Sequence, residues 1–178
     1  MQFINTQVAQ DLAEGRPLKI DLGSGGAAAN GFYAVDHLPL PGVDIVADLN
    51  APLDLLPDNC VAHLTTRHAL EHVREFLGLM REIHRITKPG GTVDILVPHF
   101  SNVFGFSDPT HVRFFGLHTM FYFVAAEHQQ GTRKLPAFYT DVRFRIRSIR
   151  IEFYRIGWFD KLVVPLLTRL VNRSFAAQ

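Results

Sequence analysis

The stretch Leu18-Lys19-Ile20-Asp21-Leu22-Gly23-Ser24-Gly25-Gly26 constrains the fold more than any other. An apolar run short enough to be one buried strand stops at an acid and breaks into glycines. A second run, Phe32-Tyr33-Ala34-Val35, then ends in Asp36. This order is the layout of a nucleotide-binding turn. Glycine takes positive φ readily and places no Cβ between main chain and ligand, so a cofactor lies directly against such a loop. The acid closing the next strand is placed to accept hydrogen bonds from ribose hydroxyls. Only five residues, three of them alanine, separate Gly26 from Phe32. A parallel crossover usually takes about a dozen residues or more, so the first crossover helix is predicted to be shortened to a turn.

The rest of the chain extends the same plan. Residues Asn5 to Gly15 have the spacing of a short lead-in helix. Val43-Asp44-Ile45-Val46-Ala47-Asp48 alternates and ends on a third acid, which puts Asp21, Asp36 and Asp48 along one sheet edge, where ligands bind. Residues 60–66 read as strand four. Leu70, Val73, Leu77, Met80, Ile83 and Ile86 keep three-or-four spacing, which predicts one amphipathic helix over 68–87. Lys88-Pro89-Gly90-Gly91 ends it, and residues 92–98 form strand five. The implied fold is α/β, a Rossmann-like, mostly parallel sheet with helices on both faces.

Beyond strand five the texture changes. Residues 99–111 are a histidine-bearing loop, and Phe114 to Ala126 reads as an aromatic-rich helix. Val142, Phe144 and Ile146 keep one parity, while Ile149, Ile151 and Phe153 keep the other. This predicts antiparallel strand structure near the C-terminus, with a bulge or break at Ser148. Arg143, Arg145, Arg147 and Arg150 fit the solvated face of an edge strand better than a phosphate site. Trp158 to Val171 reads as a last amphipathic helix interrupted by Pro165, suited to packing on the core, contacting a partner or lying on a membrane surface.

Length and composition bound these expectations. At 178 residues and 47% hydrophobic, the chain is read as one domain over 1–178. Its net charge of +1 gives no electrostatic case for nucleic acid. The single cysteine, Cys60, excludes an internal disulfide and a zinc-cysteine cluster. The N-terminus lacks the pattern of a signal peptide, and no apolar run approaches membrane-spanning length. The expected setting is the cytoplasm.

Asp21-Leu22-Gly23-Ser24-Gly25-Gly26, Asp36, Asp48, the segment Thr66-Arg67-His68-Ala69-Leu70-Glu71-His72-Val73 and Lys88-Pro89-Gly90-Gly91 together resemble the class I S-adenosylmethionine-dependent methyltransferases. The likeness is strongest to the type 11 methyltransferase-like group and covers residues 18 to about 98. It implies methyl transfer from S-adenosylmethionine to a small-molecule acceptor. Asp21, Gly23, Ser24 and Gly25 would then hold the methionine end, Asp36 the ribose, and Asp48 with Leu49 the adenine. Arg67 and His68 would line the floor near the sulfonium. A general base is needed only for a protonated acceptor. His68, His99 and His111 are the candidates; His111, with Asp108 beside it in sequence, is preferred, and ordering the loop is its alternative role. No metal ligands are assigned.

Three rival readings follow from the same residues. His68-Ala69-Leu70-Glu71-His72 matches H-x-x-E-H, an inverted zinc-peptidase motif that needs both histidines on one helical face. A dinucleotide-dependent oxidoreductase requires an acid about 20 residues past the glycines, and Asp36 stands much closer. A non-catalytic, methyltransferase-like binding module is compatible with the short first crossover and the unclear last strand, whereas the histidine-rich loop argues for chemistry.

Overall fold

The computed structural model describes residues 1–129, 134–136, 138–153, 157 and 160–176. The chain divides into two compact units, residues 1–115 and 116–178.

The first unit is built on a six-stranded sheet. Its strands are β1 (Gln2–Phe3), β2 (Leu18–Leu22), β3 (Tyr33–Asp36), β4 (Ile45–Val46), β5 (Val61–Arg67) and β6 (Thr87–Leu96), in the order β1-β4-β3-β2-β5-β6. Every pairing is parallel except that of β1 with β4. The antiparallel pair therefore lies at the edge carrying the N-terminus. Strand β2 is central: Leu18, Ile20 and Leu22 share one face of it and are essentially inaccessible. The chain runs outward from β2 through β3 and β4, then returns to place β5 on the other side of β2. That reversal makes the carboxyl ends of β2 and β5 the topological switch point, the place where open α/β sheets bind ligands.

Helix α1 (Thr6–Ala13) starts where the Asn5 side chain accepts the amide of Gln7 at 3.0 Å, an N-cap that satisfies an otherwise orphaned donor. Between β2 and β3 the chain forms turns and no helix, as the short spacing requires. The helix expected over 68–87 is broken. His68 has φ +53°, Leu70–His72 form one 3₁₀ turn, Val73 is extended, and α2 proper is Phe76–Ile86. Asn50 causes the restart, because its Oδ1 accepts the amides of both Arg74 (2.8 Å) and Glu75 (3.2 Å). Helix α2 buries Phe76, Leu79, Met80, Ile83 and Ile86 along one stripe. Strand β6 begins at Thr87, earlier than expected, and absorbs Lys88–Gly91 as an irregularity in its pairing with β5.

The second unit holds 3₁₀ turns at Thr119–Phe123 and Ala126–His128, where an aromatic-rich helix was expected, and the helix α3 (Asp160–Ala176). Gln129 replaces regular structure there: its buried side chain donates to the carbonyls of Phe121, Val124 and Leu135 and accepts the amide of Leu135. Residues 142–153 form no strand. Val142, Phe144 and Ile146 are still the less exposed members, and the parity still shifts at Ser148. The partners differ from a ladder, however: Phe144 N donates to Phe123 O, and Ile151 exchanges two hydrogen bonds with the Asn172 side chain. Helix α3 continues through Pro165; Trp158, at the start of the helix expected there, lies outside the described residues.

Candidate functional site

The carboxyl edge of the sheet gathers most of the expected residues. Asp21 is 1% exposed and fixes two neighbours through Oδ2, accepting the amide of Ala29 at 3.0 Å and Arg67 Nη2 at 3.1 Å. The Asp21–Arg67 pair spans the switch point, tying the end of β2 to that of β5. Asp36 accepts the amide of Gly25 at 2.9 Å and that of Leu38 at 3.2 Å, with His37 Nδ1 3.0 Å away. Burial pushes the Asp36 carboxyl upward, but these amides and His37 prevail and hold it below the ordinary carboxylate range. Both acids thus brace the glycine turn from behind.

Within that turn two glycines have opposite surroundings. A Cβ on Gly23 (φ +71°) would lie 2.3 Å from the Cβ of Ala69, so close approach of the β5–α2 connection requires glycine. A Cβ on Gly25 (φ +61°) would meet nothing within 4 Å. Open space therefore lies before the backbone where a cofactor is expected to rest. Beside it, the Ser24 hydroxyl oxygen is buried without a hydrogen-bond partner. A bare backbone approach, an orphaned hydroxyl and two anionic braces fit the zwitterionic tail and ribose of S-adenosylmethionine. Because no helix follows, the amides that meet an anionic group come from the turn itself.

The remaining predicted cofactor residues are less directly engaged. Asp48 is exposed, and its carboxylate caps Asn50; the amide and side chain of Asn50 hold it below the ordinary carboxylate range. Leu49 lines a small cleft of about 280 Å³ with Asn50, Pro52, Glu75, Gly78 and Leu79. A larger hollow, about 500 Å³ and lined by Asn5, Asp11, Lys19, Tyr33 and Asp44, lies at the strand starts, away from the glycine turn.

The candidate catalytic residues converge on a carboxylate that the motif reading used only for the zinc-peptidase alternative. Glu71 is 1% exposed, and neither carboxylate oxygen has a hydrogen-bond partner. Its Oε1 stands 3.5 Å from His68 Nδ1 and 4.0 Å from His111 Nε2. Asp108 Oδ2 lies 3.8 Å from His111 Nε2. The hydroxyl and amide of Thr110 hold the exposed Asp108 below the ordinary carboxylate range, so it stays anionic. The His111 ring is fixed through Nδ1, 2.6 Å from the carbonyl of Gly105; a carbonyl only accepts, so Nδ1 carries a proton and Nε2 is the atom turned toward Glu71 and Asp108. His68 is exposed and lies outside the 3₁₀ turn containing His72, so the two histidines of H-x-x-E-H do not share a helical face. His72 instead packs its ring edge-on against His111, with centroids 4.7 Å apart. His99 bonds to Ser101 at 2.8 Å and takes no part in this group.

Around His111 the loop displays Phe100, Val103, Phe104, Phe106 and Phe114, each at least half exposed or nearly so, with Phe106 stacked on Phe114 at 4.3 Å. Phe115, Phe121 and Phe123 are buried and belong to packing.

Residues 27–95 match the family model described as a methyltransferase domain. Among solved structures, the chain is similar to an S-adenosylmethionine-dependent methyltransferase from Archaeoglobus fulgidus. The identity is 13%, covering 94% of this chain and 84% of that one, with a TM-score of 0.50. A Haloferax volcanii complex of the Trm112 methyltransferase activator with a candidate methyltransferase aligns at 18% identity over 62% of each chain, with a TM-score of 0.45. No curated protein matches.

Proposed function

We propose that this chain is a class I S-adenosylmethionine-dependent methyltransferase that transfers the methyl group to a small-molecule acceptor, a reading supported by the methyltransferase-domain match over residues 27–95 and by the fold. The observation carrying this reading is the open space before Gly25, in a turn braced by Asp21 and Asp36 at the sheet's switch point. S-adenosylmethionine, when bound, supplies an electrophilic methyl on a sulfonium. Asp21, Gly23, Ser24 and Gly25 hold its methionine end, Asp36 its ribose, Asp48 and Leu49 its adenine, and Arg67 the floor of the site.

The protein's share of the chemistry is alignment, because holding reactants in line contributes up to roughly 7–11 kcal/mol in good intramolecular models. For a protonated acceptor, His111 Nε2, His68 and the anionic Asp108 form the proton-accepting group. The exposed phenylalanines of the 99–114 loop support an apolar or aromatic acceptor. Exposed Leu166, Leu167 and Leu170 support contact of α3 with a membrane surface or partner protein. Among the described residues, no helix is long and apolar enough to cross a membrane. The lone thiol of Cys60 and the near-neutral net charge support a cytoplasmic setting without nucleic acid. Residues 1–178 are taken together as one methyltransferase-like domain.

Calorimetry with S-adenosylmethionine or its demethylated product should show binding that Asp36→Ala removes by more than about tenfold. Folded protein with no heat and no thermal shift for either ligand sinks the reading. Acceptor pools incubated with methyl-labelled cofactor then identify the substrate.

A further inference from the structure

We infer that Glu71, His72 and His111 form a binding site for a divalent transition-metal ion, zinc being the first candidate. This goes beyond methyl transfer and stands whether or not that reading holds. One ligand atom from each of the three residues lies within 4.8 Å of the other two. Glu71 is 1% exposed, and both its oxygens lack hydrogen-bond partners. A buried carboxylate left this way is costly, and a cation among its neighbours removes the cost.

The two imidazoles are prepared for the same task. Ligating histidines typically donate their second N–H to a carbonyl, carboxylate or other acceptor, which fixes tautomer and ring. His111 Nδ1 does so to Gly105 O at 2.6 Å. His72 Nδ1 meets Thr110 Oγ1 at 2.9 Å. That hydroxyl spends its own hydrogen on Asp108 Oδ1 at 2.6 Å, so His72 is the donor. Each ring thus spends Nδ1 on a protein acceptor and keeps Nε2 as the atom that can ligate an ion. Two imidazoles with one carboxylate suit zinc or iron-type ions better than magnesium or calcium, which favour all-oxygen shells. Three protein ligands leave an open position, as in catalytic rather than structural sites. Ligand atoms around an ion at about 2.0–2.1 Å stand roughly 3.3 Å apart, so the group closes by small side-chain rotations on binding. An ion on His111 Nε2 withdraws that atom from proton transfer and leaves exposed His68 as the available imidazole.

The test uses the whole chain, stripped with chelator and titrated with zinc chloride alone by calorimetry. Cobalt substitution gives an absorption readout that requires no activity. Wild type should bind one ion per chain. Glu71→Gln, which preserves volume, and His111→Asn should each weaken binding by more than about 100-fold, and Thr110→Ala by about 10–100-fold through His72. His63→Ala, remote from the group and paired with Asp94, should leave it unchanged. Circular dichroism confirms folding of each variant. No stoichiometric binding by folded wild type, or undiminished binding in both Glu71→Gln and His111→Asn, overturns the site. Loss of S-adenosylmethionine binding with zinc binding intact would instead count against methyl transfer alone.

Discussion

Asp21 and Glu71 are equally buried, each at 1% exposure, yet their surroundings differ completely. Asp21 is met by the Ala29 amide and the Arg67 guanidinium. The Glu71 carboxylate has two imidazoles at 3.5–4.0 Å and no hydrogen bond. The first carboxylate completes a structure, holding a glycine turn in the shape that receives a ligand. The second is itself incomplete, and the proposed metal ion is what would complete it. Burial alone therefore does not identify a functional acid; the inventory of donors around it does.

The largest expected effect comes from the glycines of the turn that Asp21 braces. Gly23→Val should cost about 3 kcal/mol or more, because the new side chain meets Ala69 while the backbone keeps a positive φ. Gly25→Ala carries the same backbone strain without the clash, so about 1 kcal/mol is expected, with weakened S-adenosylmethionine binding as its main effect. Denaturant midpoints check both values, and equal losses would show that Ala69 does not discriminate between them.

Next in size is the response of Glu71 itself. In chelated protein, Glu71→Gln should raise stability by about 1–3 kcal/mol, since an amide removes an uncompensated buried charge. Scanning calorimetry with chelator present measures this, and a lowered melting temperature would show that Glu71 is already satisfied.

The smallest effect concerns Asp11, a third carboxylate that is well supplied with donors. Tyr33, then Gln7 and Arg16, hold its carboxyl down at about 2, against an ordinary 3.8. A folded value below the unfolded one contributes stability above pH about 4, lost as pH falls toward about 2. Tyr33→Phe removes the largest cause and should make the acid decline of the denaturant midpoint shallower between pH 5 and 2. An unchanged slope would place the acid sensitivity elsewhere.

The parallel core was legible because its signals are local. The apolar run before Gly23, the short span to Asp36 and the pattern around α2 each sit within one segment. What sequence reasoning missed depends on distant partners. The periodicity over 68–87 fits one helix, but Asn50, remote in sequence, claims the amides of Arg74 and Glu75 and starts α2 afresh. The alternation over 142–153 is real in burial, but a strand also needs a ladder; the hydrogen bonds go instead to Phe123 and to the Asn172 side chain. His68-x-x-Glu71-His72 drew attention to Glu71 and His72, which the structure places beside His111. His111 itself comes from the loop after β6, and spacing within the motif carries no trace of it.

The turn that replaces the first crossover helix also bears on how the chain folds. Ile20 pairs with Tyr33 across a connection of glycines and alanines. A crossover of twice that length would add roughly 0.6 kcal/mol to the entropy of closure. The β2–β3–β4 edge is thus unusually local for parallel structure, and local contacts form early because little chain must be ordered before they repay it. Strand β5 must travel from beyond residue 60 to reach β2. The trimming that deprives the glycine turn of a helix therefore gives the sheet a nearby place to nucleate.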